Sequence, residues 1–259
     1  MIKQKKHILI ILSFLCTLTV FAEEKLAVIN APNGFATIHS GQGNEFSVTD
    51  TIYKDDFFDC EWTEKDEWIK ITAIKWNDNG EQVEGYIPRS KIQLIENFDR
   101  KKQRTLIIQI LKKQKKLADN FRATCRNDKD TIAYRKTVKE LEQYNDIKYA
   151  PILKFLSKYF CLTSDAKVLQ PFFSTMWADR GSADERPTFA MGECFVCQPD
   201  IVIKQLKKIK NAEQKEHLMN KIEWGLLNFF EVDEDEKSDS QEFNQLKIRL
   251  ENERKNIRK

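Results

Sequence analysis

The sequence predicts an α+β chain of more than one domain, in which a small β-barrel precedes an all-α domain of short antiparallel helices. Three observations predict it. Between residues 26 and 96, short β-rich runs are separated by turn residues at the spacing of all-β modules. From Asn97 onward the apolar residues recur instead at three- and four-residue steps, the period of a helix with one buried face. The composition supports both parts: 259 residues with 41% hydrophobic residues can bury a sizeable core, and only eight Gly and six Pro exclude a collagen-like or linker-like chain.

The first 22 residues read as a secretory signal peptide. Lys3, Lys5 and Lys6 are followed by an apolar stretch over 8–20, and Val20-Phe21-Ala22 fits a signal-peptidase site, so the mature chain is expected to begin at Glu23. The apolar stretch is short of the ~20 residues that cross a bilayer, and bulky Leu15 before Cys16 does not suit a lipidation signal. A periplasmic or secreted location without a membrane span follows as the expectation. Removing the three leader lysines balances the 43 Lys and Arg against the 40 Asp and Glu. No strongly basic field remains for nucleic acid, which is not expected as a partner.

Within the first half, strands are expected at 26–30, 35–39, 57–62, 68–76 and 82–87. Phe58, Cys60 and Trp62 alternate with acids, as a half-buried strand requires. Asn77-Asp78-Asn79-Gly80 is a hairpin turn, because Asn and Gly tolerate positive φ, and residues 69–76 and 82–87 should pair across it.

Three blocks in this region resemble a known family: Asn33-Gly34-Phe35-Ala36-Thr37-Ile38-His39-Ser40-Gly41-Gln42-Gly43, Glu67-Trp68-Ile69-Lys70-Ile71, and Gly85-Tyr86-Ile87-Pro88-Arg89-Ser90-Lys91-Ile92. In this order they are similar to the signature of the bacterial Src-homology-3-like (SH3b) domains of exported proteins. His39 stands where that family usually has Arg, and Gln42 where it usually has Pro. The hairpin over 72–84 is longer than usual. The resemblance implies an SH3-like barrel over 26–96 that serves targeting or recognition, binding cell-wall peptides or protein partners rather than catalysing a reaction.

In such a barrel Trp68 and Tyr86 are expected to pack in or beside the core. Trp76 stands at the hairpin tip, where an indole has little core to enter, and exposed aromatics commonly anchor ligands. Trp76, Phe46 and Tyr53 form the expected ligand contact set.

In the second half, Leu106, Ile107, Ile110, Leu111, Leu117 and Phe121 mark an amphipathic helix over 100–124. Further helices are expected at 131–144, 149–161, 165–177, 185–198, 200–210 and 212–230. Ser182 with Glu185 and Asn211 with Gln214 read as capping boxes, Pro151 and Pro199 as first-turn residues, and Pro171 as a kink or split in its helix. An all-α domain over 98–232 is the expectation, followed over 233–259 by an acidic linker and a charged helix. Phe243, Leu246, Leu250 and Ile257 give that helix one apolar edge, which either docks on the domain or awaits a partner.

The chemistry in these segments is sparse. His39 and His217 are the histidines beyond the leader and fall in different domains, and the sequence holds no phosphate loop, His-Glu-x-x-His or calcium loop. No catalytic residue, metal or other cofactor is expected. Cys194 and Cys197 sit at the end of their helix, where the dipole disfavours a thiolate, so buried thiols are the default reading. A disulfide involving Cys125, Cys161 or one of that pair is the alternative in an exported chain. Zinc would need Cys161 and Cys125, whose spacing matches no finger. With five cysteines after the leader at least one thiol is unpaired, and Cys60 is expected to be buried.

Charge is uneven. Residues 100–116 carry eight cations and no acid, while Glu231, Asp233, Glu234, Asp235, Glu236, Asp239 and Glu242 face a single Lys237. These segments are expected to be solvated or to face each other. The expected function is that of an exported, non-catalytic recognition protein that binds a peptide, peptidoglycan or an envelope protein through the barrel, with the helical domain as a second interaction surface. The alternative is an inhibitor or immunity-type protein that blocks a partner enzyme through the helical domain.

Overall fold

A computed structural model describes residues 23–75, 80–125, 132–233 and 238–257. The leader, Trp76 and most of the Asn77-Asp78-Asn79-Gly80 turn therefore lie outside the described residues, as does the centre of the acidic linker.

The first half is one antiparallel sheet that curls into a half-barrel. Its strands are β1 (Glu23–Ile29), β2 (Phe35–His39), β3 (Val48–Tyr53), β4 (Phe57–Trp62), β5 (Trp68–Lys75), β6 (Glu81–Pro88) and β7 (Ile92–Leu94), in the order β3-β2-β6-β5-β4-β1-β7. β5 and β6 form the expected hairpin, in register from Trp68 opposite Pro88 to Lys75 opposite Glu81. Two strands escaped the sequence reading for a physical reason. β3 and β7 are the two edges, β7 is only three residues long, and in β3 only Ile52 is buried, so neither carries a strong hydrophobic signal. Where β2 crosses β6 a side chain is excluded. A Cβ on Gly85 would come to 2.6 Å from the His39 carbonyl oxygen.

Period-two alternation gives this sheet two apolar faces. Ala27, Ile29, Ile38, Ile52, Phe58, Ile69, Ile71 and Ile87 fill the inside of the curl. Phe57, Leu26 and Val28 turn the other way and, with Ile95, join the core of the helical half. Gln103 reinforces this seam. Its side-chain amide donates to the Glu96 and Phe98 carbonyls at 2.8 and 2.9 Å, tying the connector to the first helix. Ion pairs cross it as well, Lys154 with Glu24 at 2.9 Å and Lys158 with Glu96 at 3.8 Å.

The helices are α1 (Arg100–Cys125), α2 (Ile132–Tyr144), α3 (Ala150–Thr163), α4 (Leu169–Ala178), α5 (Arg186–Cys197), α6 (Pro199–Leu206), α7 (Ala212–Phe229) and α8 (Gln241–Ile257). Three local expectations are corrected. α2 and α3 are not separate helices but run on through a π-helical turn, Asn145–Tyr149, that widens the helix just before Pro151, whose ring would clash in a regular α-turn. Ser182 and Glu185 make no capping box. The Ser182 hydroxyl instead accepts from the Asp184 N–H, and Asp184 accepts from the Arg186 N–H at 3.0 Å. The third concerns Cys197, where the structure shows the alternative, a disulfide to Cys161, in place of the default buried thiol, a reading that Cys194 keeps. Asn211 does cap α7, accepting from the Gln214 N–H at 2.8 Å. Pro171 lies in the first turn of α4, with a separate 3-10 turn, Ala166–Val168, before it.

Of the two readings for the last helix, the structure shows docking. Phe243, Leu246 and Leu250 of α8 are buried in the helical core, and Arg254 is paired with Glu216 and Glu223. The basic stripe of α1 is partly matched by acids, Arg104 with Asp165 at 3.2 Å and Lys113 with Glu140 at 3.6 Å.

α5 and α7 cross at two glycines. A Cβ on Gly192 would lie 2.5 Å from the backbone of Gly225, and one on Gly225 would lie 2.5 Å from the Thr188 carbonyl oxygen and 2.8 Å from Gly192. Because these neighbours are backbone atoms, relief requires the helices to separate. Gly192→Ala and Gly225→Ala are each expected to lower stability by about 3 kcal/mol in urea denaturation. Unchanged midpoints in both would show that the helices are not held this closely.

The Cys161–Cys197 bond joins the ends of α3 and α5 and leaves Cys60, Cys125 and Cys194 free. Thiol titration of the chain from Glu23 onward, unfolded without reductant, should count those three rather than five. Reduction should cost about 3–4 kcal/mol for a loop of this size, read as a lower melting temperature.

Candidate functional site

At the end of the sheet where β4 turns into β5 lies an open groove of about 570 Å³, lined by Asn44, Trp62, Glu67, Trp68, Pro88 and Arg89. Strand alternation explains how two indoles come to line it. Phe58 and Cys60 of β4 enter the core, and Trp62, one step further, passes the end of that core and stays half-buried. Trp68 begins β5 opposite Pro88, the last residue of β6.

Behind Trp68 stands His39, buried on β2. Its ring is edge-on to the Trp68 indole with centroids 5.0 Å apart, one nitrogen lies 3.0 Å from the Thr37 hydroxyl, and the other lies 3.0 Å from the Phe46 carbonyl oxygen. His39 therefore ties the loop between β2 and β3 to the groove wall. Arg89 is fixed from the opposite side. Its guanidinium donates to the Glu64 carbonyl and its backbone N–H donates to the Glu67 carbonyl. The groove thus offers two flat apolar faces, a proline, one positive group and one carboxylate, a mixture suited to an extended peptide.

The expected contact residues are only partly brought to this place. Phe46 is 44% exposed and lies in the same loop as Asn44, with its ring resting on Gly41, where a Cβ would come within 2.5 Å of it. Tyr53 is 59% exposed but pairs with Phe35 at the far end of β3, about 17 Å along that strand from the His39–Val48 pair. Its neighbour is Lys75, whose ammonium lies 5.9 Å from the ring centre and pairs with Asp50. Trp76 follows Lys75 and falls outside the described residues. Trp68 and Tyr86 are half-buried in the wall of the half-barrel, and Trp68 also presents a face to the groove. Sequence reasoning missed Trp62 and Arg89. The available signal was Trp62 closing an alternating series beside the Thr63–Asp66 turn, where the core ends.

Elsewhere the two buried free thiols, Cys60 and Cys194, are unsuited to reaction. Burial, followed by the charges of Asp59 and Glu96, pushes the Cys60 thiol up to about 12, and burial pushes Cys194 up as well. Among the described residues no group of three or more His, Cys, Asp or Glu could hold a metal ion. Comparison of the chain with family models, curated proteins and solved structures gives no significant match. The function of the groove therefore rests on its own geometry.

Proposed function

We propose that the chain is an exported, non-catalytic recognition protein whose sheet is an SH3b-like barrel. The groove beside Trp62, Trp68 and Arg89 binds an extended peptide segment of the cell wall or of an envelope protein. The observation that carries this reading is the pair of indole faces set beside a fixed guanidinium in an open groove. Aromatic and Arg side chains in such settings supply most of the energy at recognition surfaces. Export is supported by the leader pattern together with the Cys161–Cys197 disulfide, a bond that persists in oxidising compartments.

The test is sedimentation of the full-length mature chain with purified cell-wall sacculi and with envelope extract. Trp62→Ala and Arg89→Ala should each weaken retention about thirtyfold, corresponding to about 2 kcal/mol for a central anchor, at a temperature where melting curves show each variant folded. Tyr53→Ala should leave retention intact. Full retention in the Trp62 and Arg89 variants, or loss confined to Tyr53→Ala and Trp76→Ala, would move the ligand away from the groove and overturn the assignment.

A further inference from the structure

The helical half contains a cavity that the groove does not use. It measures about 410 Å³ and lies between α1, α2, the turn after α4 and the starts of α5 and α7. Most of its wall is apolar, with Phe121, Met176 and Pro187, and the rest is polar.

At one side stands Asp179, the residue that ends α4. Its carboxyl forms no ion pair among the described residues, and its hydrogen-bond donor is the Gln114 amide at a long 3.4 Å. A carboxylate at a helix C-terminus also meets the negative end of the helix dipole. Burial, with the charges of Asp184 and Asp119 adding to it against Arg122, raises this carboxyl to about 7. Gln114, 3% exposed, has its amide oxygen buried without any partner. The buried Gln114 amide oxygen thus lacks a donor beside a carboxyl whose own donor is the Gln114 amide at 3.4 Å.

Cationic groups and a neutral imidazole line the same cavity. His217 bonds to the Met176 backbone, and its Nε2 is buried without a partner. Burial, then the charges of Lys221, Arg180 and Arg122, holds this imidazole below its usual range and therefore neutral. Lys221 lines the cavity and has no ion pair among the described residues. A carboxyl, an unsatisfied amide oxygen and the ammonium of Lys221 therefore line one small space.

We propose that this cavity binds a small zwitterion of amino-acid or dipeptide size, its ammonium between Asp179 and Gln114, its carboxylate toward Lys221 and Arg122, and its side chain against Phe121 and Met176. An ammonium supplies three donors, one for the unsatisfied Gln114 oxygen and others for the Asp179 carboxyl, in a single step. A carboxylate meets the cations that surround His217. The cavity volume lies in the range of small-molecule sites.

The experiment is isothermal titration of the full-length mature protein with leucine and with leucyl-leucine. N-acetyl-leucine, which lacks the ammonium, and isoamylamine, which lacks the carboxylate, are the controls. Saturable binding is expected for at least one of the two zwitterions, with both controls at least about tenfold weaker. Asp179→Asn and Lys221→Met should each reduce affinity by about tenfold or more, while Trp62→Ala leaves it unchanged, which separates this site from the groove. Asp179→Asn removes a buried charge and should melt no lower than the parent; if it nevertheless fails to fold, Lys221→Met and the two controls decide. No saturable heat with either zwitterion would mean that the space holds water only and would overturn the proposal. Equal binding of isoamylamine, or of leucine by a folded Asp179→Asn, would overturn it too.

Discussion

The close crossing of α5 and α7 at Gly192 and Gly225 sets the geometry of the helical half. The two backbones meet without intervening side chains, so the helices are positioned by main-chain contact, with little latitude for repacking. α5 brings Pro187 and Thr188 to one end of the crossing and Cys197 to the other, while α7 brings His217 and Lys221. The cavity walls and the disulfide both follow from where these helices lie. The disulfide then holds the end of α5 against α3, and α3 in turn packs on the sheet through the seam around Phe57.

The molecule keeps two kinds of polar environment apart. In the groove the charged groups are solvated or held by backbone carbonyls, as Arg89 is by Glu64, and the indoles supply apolar area. Such a surface discriminates by shape and by the placement of a few charges. The helical cavity is different: unsatisfied atoms sit inside a low-dielectric interior, where an unmade hydrogen bond is costly. That cost favours a molecule with the right pattern of donors over water alone.

Much of the architecture was legible in the sequence. The change of period at Asn97, the alternation of Phe58 with Cys60 and the turn residues after Trp76 each correspond to a strong local preference, and the strands and helices formed close to their expected limits. What was hidden depended on relations distant in the chain. The edge strand β3 buries little, so its signal is weak. Pro151 reads as a helix start, yet a π-turn lets the backbone pass it. The sequence offered a disulfide among Cys125, Cys161, Cys194 and Cys197 but not its pairing, Cys161 with Cys197, and nothing in the order of residues announces that Gly192 meets Gly225. The site was the least legible part. Exposed aromatics were found, but the indoles that share a groove were grouped by the curl of the sheet, and Asp179 and Gln114, 65 residues apart, were brought together only by the packing of α4 on α1.

Phe57 and Ile95 belong by sequence to the strand region but place their side chains in the interior of the helices. The two halves are therefore not beads on a flexible string. A load applied to a molecule gripped near Trp62 would travel down β4 to Phe57 and be shared by the whole helical body, so that the protein would behave as a stiff bracket rather than a swinging tether.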